Sequence, residues 1–225
     1  MRVGIVGSGR IGGNAGTQLA RAGHEVMFSS RHPDSLESVA SGAPGATTGR
    51  PKDACAFADA VIFAVPWSAI DDAVAELGPI EGKVVIDTTN QYSAGRVEAL
   101  PDGLTAVEVN ARRMPGAHLA KTFNTLTAGF QRDVAEGRVE REIAMFFAAA
   151  EDAAADAAAE LIGGCAFVPV RIGGWKQARL MEAPRRERAV YGEAYAPEDA
   201  RRIAEAAAHD LDQAGRLASE LKLAG

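Results

Sequence analysis

Apolar and polar positions along the chain fall into two alternating patterns. One is a short, unbroken apolar run: Val3–Val6, Glu25–Phe28, Ala60–Val65, Lys83–Asp87, Leu119–Phe123, Glu142–Ala148 and Ala166–Val170, with a brief further run near Ala46–Thr48. Runs without polar breaks suit strands covered by helices on both faces. The other pattern has helical spacing, over residues following Gly9 to Arg21, then Pro33–Ser41, Lys52–Ala58, Ser68–Leu77, Thr105–Arg113, Glu151–Ile162 and Lys176–Glu182. Strands alternating with helices predict an α/β fold with a doubly wound parallel sheet and right-handed crossovers. Ligands in such sheets bind beyond the carboxyl ends of the strands, so five strand ends are expected to converge on one crevice.

The pattern changes after residue 183. Residues 184–198 are irregular and charged, and Pro197–Leu223 reads as one long helix with proline near its start. Ala207, Leu211, Ala214, Ala218 and Leu221 recur at spacings of four and three, a narrow stripe suited to another helix in the same chain or in a partner. The expected organisation is a nucleotide-binding domain over 1–183 and a small helical extension over 184–225, part of the same unit or a homodimer element.

Composition removes several classes. A formal net charge of −6 argues against nucleic acid, whose binders present a basic surface. No apolar run reaches the ~18 residues of a membrane span. A strand beginning at residue 2 leaves no room for a signal peptide, so a cytoplasmic location is expected. Cys55 and Cys165 lie far apart in apolar surroundings and read as buried thiols. Four scattered histidines offer no metal site.

The chemistry starts at the first strand. Val3–Val6 runs straight into Gly7-Ser8-Gly9-Arg10-Ile11-Gly12, and a helix follows. Strand, glycine turn and helix in this order make the Rossmann-type dinucleotide site. Gly7 allows the tight turn, Gly9 lets phosphates approach the backbone, and Gly12 lets helix and strand pack closely. The free N–H groups and dipole at the helix start then favour an anion. After the second strand come Ser29-Ser30-Arg31-His32 where an NAD enzyme would carry a carboxylate. Hydroxyls and a guanidinium suit a 2′-phosphate instead, so NADP is expected. His32 is either exposed or stacked on the adenine.

Several stretches together resemble one family. MRVGIVGSGRIG, AGHEV, SSR, AVPW, VVIDTTN, AKTFNTLTAGF and IGGWKQARLME are similar to the NADP oxidoreductases that use the deazaflavin coenzyme F420, over about residues 1–183. The resemblance implies that Ser8, Gly9, Arg10 and Ile11 contact the pyrophosphate, with Gly7 and Gly12 shaping the turn. It implies that Ser30 and Arg31 take the 2′-phosphate, and that Ser35 stands where relatives carry a further basic residue. Val65, Pro66, Trp67 and Ile70 would flank the nucleotide. Asn90 would lie near the nicotinamide ribose, and Asn124 through Ala128 would form the floor where two rings stack. The charged 184–198 loop and the helix after it depart from the family's apolar ending, which leaves the second substrate unassigned.

The expected reaction is hydride transfer between nicotinamide C4 and a second redox partner, coenzyme F420 or a flavin-like acceptor. Such a reaction needs ring stacking and water exclusion more than acid–base help. The strand ends offer Thr88, Thr89, Asn90, Asn124 and Thr125, and no catalytic residue is assigned. Lys121 and His118 read as structural and Asp87 as a loop-orienting group. A carbonyl or imine reductase like the β-hydroxyacid dehydrogenases would need a proton donor and a large helical domain. A non-catalytic NADP-binding module is the third alternative.

Overall fold

The computed structural model describes residues 1–101 and 103–223. Its centre is an eight-stranded sheet in the order β10-β9-β8-β5-β4-β1-β2-β3. The strands are β1 (Arg2–Val6), β2 (Glu25–Ser29), β3 (Thr47–Gly49), β4 (Ala60–Phe63), β5 (Val84–Asp87), β8 (His118–Lys121), β9 (Ala144–Ala149) and β10 (Val168–Gly173). Six of them, β3-β2-β1-β4-β5-β8, run parallel, and β1 lies between β2 and β4. Strand order reverses at β1, so a crevice opens beyond the carboxyl ends of β1 and β4.

The last two strands depart from an all-parallel sheet. β9 pairs antiparallel with β8 through Ala120↔Ala149 and Lys121↔Ala148, and β10 runs parallel to β9. Their carboxyl ends therefore point away from the crevice, which is framed by the parallel strands alone. A small hairpin, β6 (Tyr92–Ser93) with β7 (Arg96–Val97), lies outside the main sheet. Its two-residue strands are too short to leave a recognisable alternation in the sequence.

Helices cover both faces because each buried strand presents apolar side chains alternately to either side. Val6, Val61, Phe63, Val85 and Leu119 face α3 (Pro51–Phe57), α4 (Ile70–Ala75), α5 (Ala106–Arg113), α8 (Pro197–Ala207) and α9 (Leu211–Leu221). Val3, Ile5, Ile62, Ile86 and Ala120 face α1 (Arg10–Arg21), α6 (Ala128–Ala135) and α7 (Asp152–Gly164), with α2 (Glu37–Ser41) at the edge. Fully burying one such side chain contributes ~1.5–3 kcal/mol before entropy is counted. Cys55 and Cys165 are buried on opposite faces, and burial pushes the Cys165 thiol up to about 12. Among the described residues no helix is long and apolar enough to cross a membrane.

The predicted single helix over Pro197–Leu223 is two. Helix α8 ends at Ala207, and Asp210 starts α9 by accepting hydrogen bonds from the Asp212 and Gln213 N–H groups at 2.8 and 3.1 Å. An aspartate that offers its carboxylate to the next turn competes with helix continuation, and that stops α8. The two helices pack against each other, α8 on β10 and α9 on the short turn Gln177–Leu180. Ala207, Ala214 and Ala218 of the stripe are buried within this chain, and the Tyr195 hydroxyl donates to the Ala218 carbonyl at 2.9 Å. The extension thus completes one face of the sheet.

Candidate functional site

The glycine turn has the geometry its residues suggest. Gly7 sits at φ +96°, and a Cβ there would meet the Ala64 carbonyl oxygen at 2.5 Å. A Cβ on Gly12 would stand 2.2 Å from the Gly7 oxygen, so only glycine allows α1 to approach β1 this closely. Gly9 differs, because a Cβ there would meet nothing within 4 Å. Its backbone lies bare at the start of α1, where no side chain caps the helix. The first N–H groups of a helix lack partners within it. Here that helix start lies at a cleft lined by Gly7, Ser8 and Gly9, where the unpartnered N–H groups and the dipole favour an anion.

Beyond the turn lies a cleft of about 340 Å³ lined by Gly7, Ser8 and Gly9 on one side and by Val65, Pro66 and Ala69 on another. Ser30 and Arg31, at the carboxyl end of β2, close its far end. Ser29 is spent on structure, its hydroxyl donating to the Ile5 carbonyl at 2.7 Å, and Ser8 Oγ donates to the Ser29 carbonyl at 3.2 Å. These two bonds hold the β1 and β2 ends together. Ser35 donates its hydroxyl to the His32 carbonyl at 2.6 Å and does not line the cleft. His32 is exposed.

Trp67 and Ile70 do not face this cleft. Both are buried in the core under α4 and α5; the Trp67 indole donates to Glu98 at 2.8 Å, and the Arg113 guanidinium lies 4.8 Å from its ring centroid. Ala69 and Ala73 take their expected place on the wall, since they occupy the outer side of the same turns. The buried indole N–H needs an acceptor, and Glu98, an exposed residue in the unforeseen hairpin region, supplies it.

At the other end of the crevice the polar side chains bind one another. Asn90 Nδ2 donates to the Asn124 carbonyl at 2.9 Å, and Asn124 Nδ2 donates to Asn90 Oδ1 at 3.1 Å and to the Met181 carbonyl at 2.7 Å. Asn124 therefore does not cap α6; Thr127 does, accepting from the Phe130 N–H at 3.3 Å. Phe123 holds a left-handed backbone at φ 57°, which turns the chain so that Asn124 can reach Asn90. A buried aromatic in that region is strained, and such strain concentrates where a loop geometry is being enforced. Ala128 is half-buried, and its carbonyl accepts from Asn14 Nδ2 at 3.0 Å, tying α6 to α1. Two buried acceptors, Asn124 Oδ1 and Gln91 Oε1, have no partner within the described residues. Buried acceptors are normally satisfied, so these two are exceptions in an otherwise well-bonded network.

A buried ionic node lies behind this pair. Lys121, the last residue of β8, is fully buried with its Nζ 3.0 Å from Asp87 Oδ2 and bonded to the Thr89 carbonyl. Asp87 Oδ1 accepts from the Thr89 N–H at 2.8 Å, and Asn110 Nδ2 donates to both Asp87 Oδ2 and Thr89 Oγ1 at 3.0 Å. Asp87 thus orients the loop leading to Asn90, and Lys121 is sealed from any ligand. Glu182 accepts from the Ala106 and Val107 N–H groups at 2.8 and 3.1 Å, and burial pushes its carboxyl above the usual carboxylate range. Segment 181–183 is in this way clamped over the crevice: Asn124, Gln91 and the start of α5 all bond to it. Sequence reading missed Asn110, Gln91 and Glu182, whose roles depend on contacts more than 20 residues away.

Known structures share this architecture. A hypothetical protein from Sinorhizobium meliloti, SMa0349, matches with a TM-score of 0.72 at 28% identity, covering 83% of this chain and 91% of that one. A protein from Arthrobacter sp. FB24 assigned as an F420-dependent NADP reductase matches with a TM-score of 0.66 at 22% identity, over 79% of this chain and 86% of that one. A reductive aminase from Aspergillus terreus in complex with NADPH matches at 0.57 and 17% identity, over 79% of this chain and 56% of that one. The last two establish a common fold. Residues 2–91 contain every part of the cleft wall from Gly7 to Glu76, and they match the family described as NADP oxidoreductase, coenzyme F420-dependent; by that segment the chain is similar to this family of NAD(P)-dependent oxidoreductases.

Proposed function

We propose that the protein is an NADP(H)-dependent oxidoreductase whose second redox partner is coenzyme F420 or a flavin-like acceptor. The observation that carries the reading is the cleft at the strand-order reversal, with bare backbone at Gly9 and the Ser30-Arg31 pair at its far end. Open space around Gly9, where a Cβ would meet nothing within 4 Å, supports the placement of the phosphates there. When bound, the cofactor supplies nicotinamide C4 as the donor or acceptor of a hydride.

The chain's own groups have distinct tasks in this reading. The N–H groups of Arg10 and Ile11 bind the pyrophosphate, and Ser30 with Arg31 binds the 2′-phosphate. Asn90 and Asn124, locked on each other and on Met181, position the loops at the nicotinamide end. No titratable group is asked to move a proton. Lys121 is unsuited to donate one, because its ammonium is held by Asp87 and Thr89 out of contact with the crevice. This favours a redox partner that takes a hydride directly over a carbonyl substrate that needs a proton donor.

The test is turnover by the full chain. NADPH oxidation should be seen with oxidised coenzyme F420 and, more slowly, with FMN. Tight NADPH binding with no turnover of either would replace the oxidoreductase with a binding module, and turnover of carbonyls or imines alone would overturn the deazaflavin assignment.

A further inference from the structure

Past Arg31 the cleft opens into a second hollow of about 730 Å³, walled by Arg31, His32, Arg50, Pro51, Lys52 and Glu76. Arg50 was not among the residues the sequence suggested, because it follows the third strand. The sheet brings it beside the second. β2 and β3 pair in register to Ser29↔Gly49, and the ladder's next link is the Ser30 N–H on the Gly49 carbonyl at 3.2 Å. Ser30 and Arg50 therefore leave adjacent strands side by side, at the ~4.8 Å spacing of a sheet.

The Arg50 backbone is fixed and its side chain is not. Its N–H donates to Asp53 Oδ2 at 3.0 Å, its carbonyl accepts from the Asp53 and Ala54 N–H groups, and Pro51 follows it. The guanidinium is exposed and makes no ion pair among the described residues. Arg31 is likewise exposed at the same hollow. Two unpaired guanidinium groups on neighbouring strand ends repel each other unless an anion joins them. Glu76, on the α4 side, opposes an anion's approach from that wall and leaves the β2–β3 wall as the favourable one.

We propose that Arg50 is the second cation of the 2′-phosphate site and, with Arg31, sets the preference for NADP over NAD. The inference rests on the nucleotide reading given above and assigns its specificity to a residue outside the β2 turn. A 2′-phosphate carries close to two negative charges and three acceptor oxygens, more than one guanidinium fork can take. Arg31 holds it from the β2 side and Arg50 from the β3 side. Lys52, one residue into α3, adds to the field without fixed geometry.

Calorimetric titration of the wild type, Arg50→Gln, Arg50→Lys and Arg31→Asp with NADPH, NADH and adenosine 2′,5′-bisphosphate tests this, with thermal melts to confirm folding. Arg50→Gln should weaken NADPH and the bisphosphate by about tenfold or more, as expected for losing one charge-assisted hydrogen bond, and leave NADH unchanged. Arg50→Lys should recover part of the loss. Equal weakening of NADPH and NADH, or no weakening of either, would overturn the role of Arg50. If Arg31→Asp discriminates between the two nucleotides and Arg50→Gln does not, the inference falls and the nucleotide reading stands. If the wild type binds neither nucleotide, both fall.

Discussion

At the carboxyl ends of β1 and β2 the working groups are backbone N–H groups and exposed cations, whereas at the ends of β5 and β8 they are buried side chains bound to one another. The first region needs empty space: Gly9 leaves it open, and Arg31 and Arg50 stand beside it without an ion pair among the described residues. The second region is filled by its own bonds, with Asp87, Lys121, Asn110 and Thr89 consuming each other's hydrogen-bonding capacity. In the proposed reading, the first end receives charge from a ligand. The other holds loops in position, and among the described residues Asn124 Oδ1 and Gln91 Oε1 are its buried acceptors without a partner.

The contrast breaks most readily at Lys121. Its ammonium is fully buried against Asp87, so removing it leaves a carboxylate in the interior with two hydrogen bonds and no counter-charge. Lys121→Met is expected to cost about 3–5 kcal/mol, the usual result of breaking one half of a buried pair. Denaturant unfolding measures this, and Asp87→Asn added to Lys121→Met should recover part of the loss. A single-variant cost below about 1 kcal/mol would mean the node is solvated and the comparison is false.

Two glycines separate folding from binding within the first region. Gly12→Ala forces a methyl to 2.2 Å from the Gly7 oxygen, a backbone atom that cannot swing aside. Overpacking of this kind is expected to cost about 1–3 kcal/mol. Gly9→Ala meets nothing within 4 Å, so its melting temperature should stay near wild type while NADPH affinity falls. Comparable thermal losses in both variants would show that the cradle at Gly9 is structural.

The two ends also differ in how much of them was legible. Gly7 to Gly12 and Ser30-Arg31 lie at the strand ends where the sequence placed them, because backbone turns and strand-end loops depend on neighbours in sequence. The strand runs behind them were legible for the same reason, as was the α/β alternation. The Asp87–Lys121–Asn110 node depends on register between β5 and β8 and on where α5 packs, which no local pattern encodes. Trp67 shows the limit in the other direction: a tryptophan after a strand-ending proline suits a ligand wall, and the hairpin bearing Glu98 turns it into core. Asp210 was readable as a helix start, yet the alanine-rich stripe on either side masked the break.

The finest separation between the two regions is a pH effect at Glu182. Its carboxyl is 3% exposed, and burial raises it above 4.5; Lys121 and the Ala106 and Val107 N–H groups pull it back, and Asp87 pushes it further up. Arg186 adds a nearby cation, itself lowered by burial. With the folded value above the unfolded one, the protonated form is favoured by folding. This contribution is complete below about pH 4.5 and is lost as pH rises through the raised folded value. Glu182→Gln has no proton to lose, so its melting temperature should decline less than that of the wild type across that window. The difference should be small, because the same N–H groups and Lys121 act against the burial. Parallel pH profiles would place Glu182 in water, detach segment 181–183 from the node, and leave Asn124 as the sole clamp on the Met181 carbonyl.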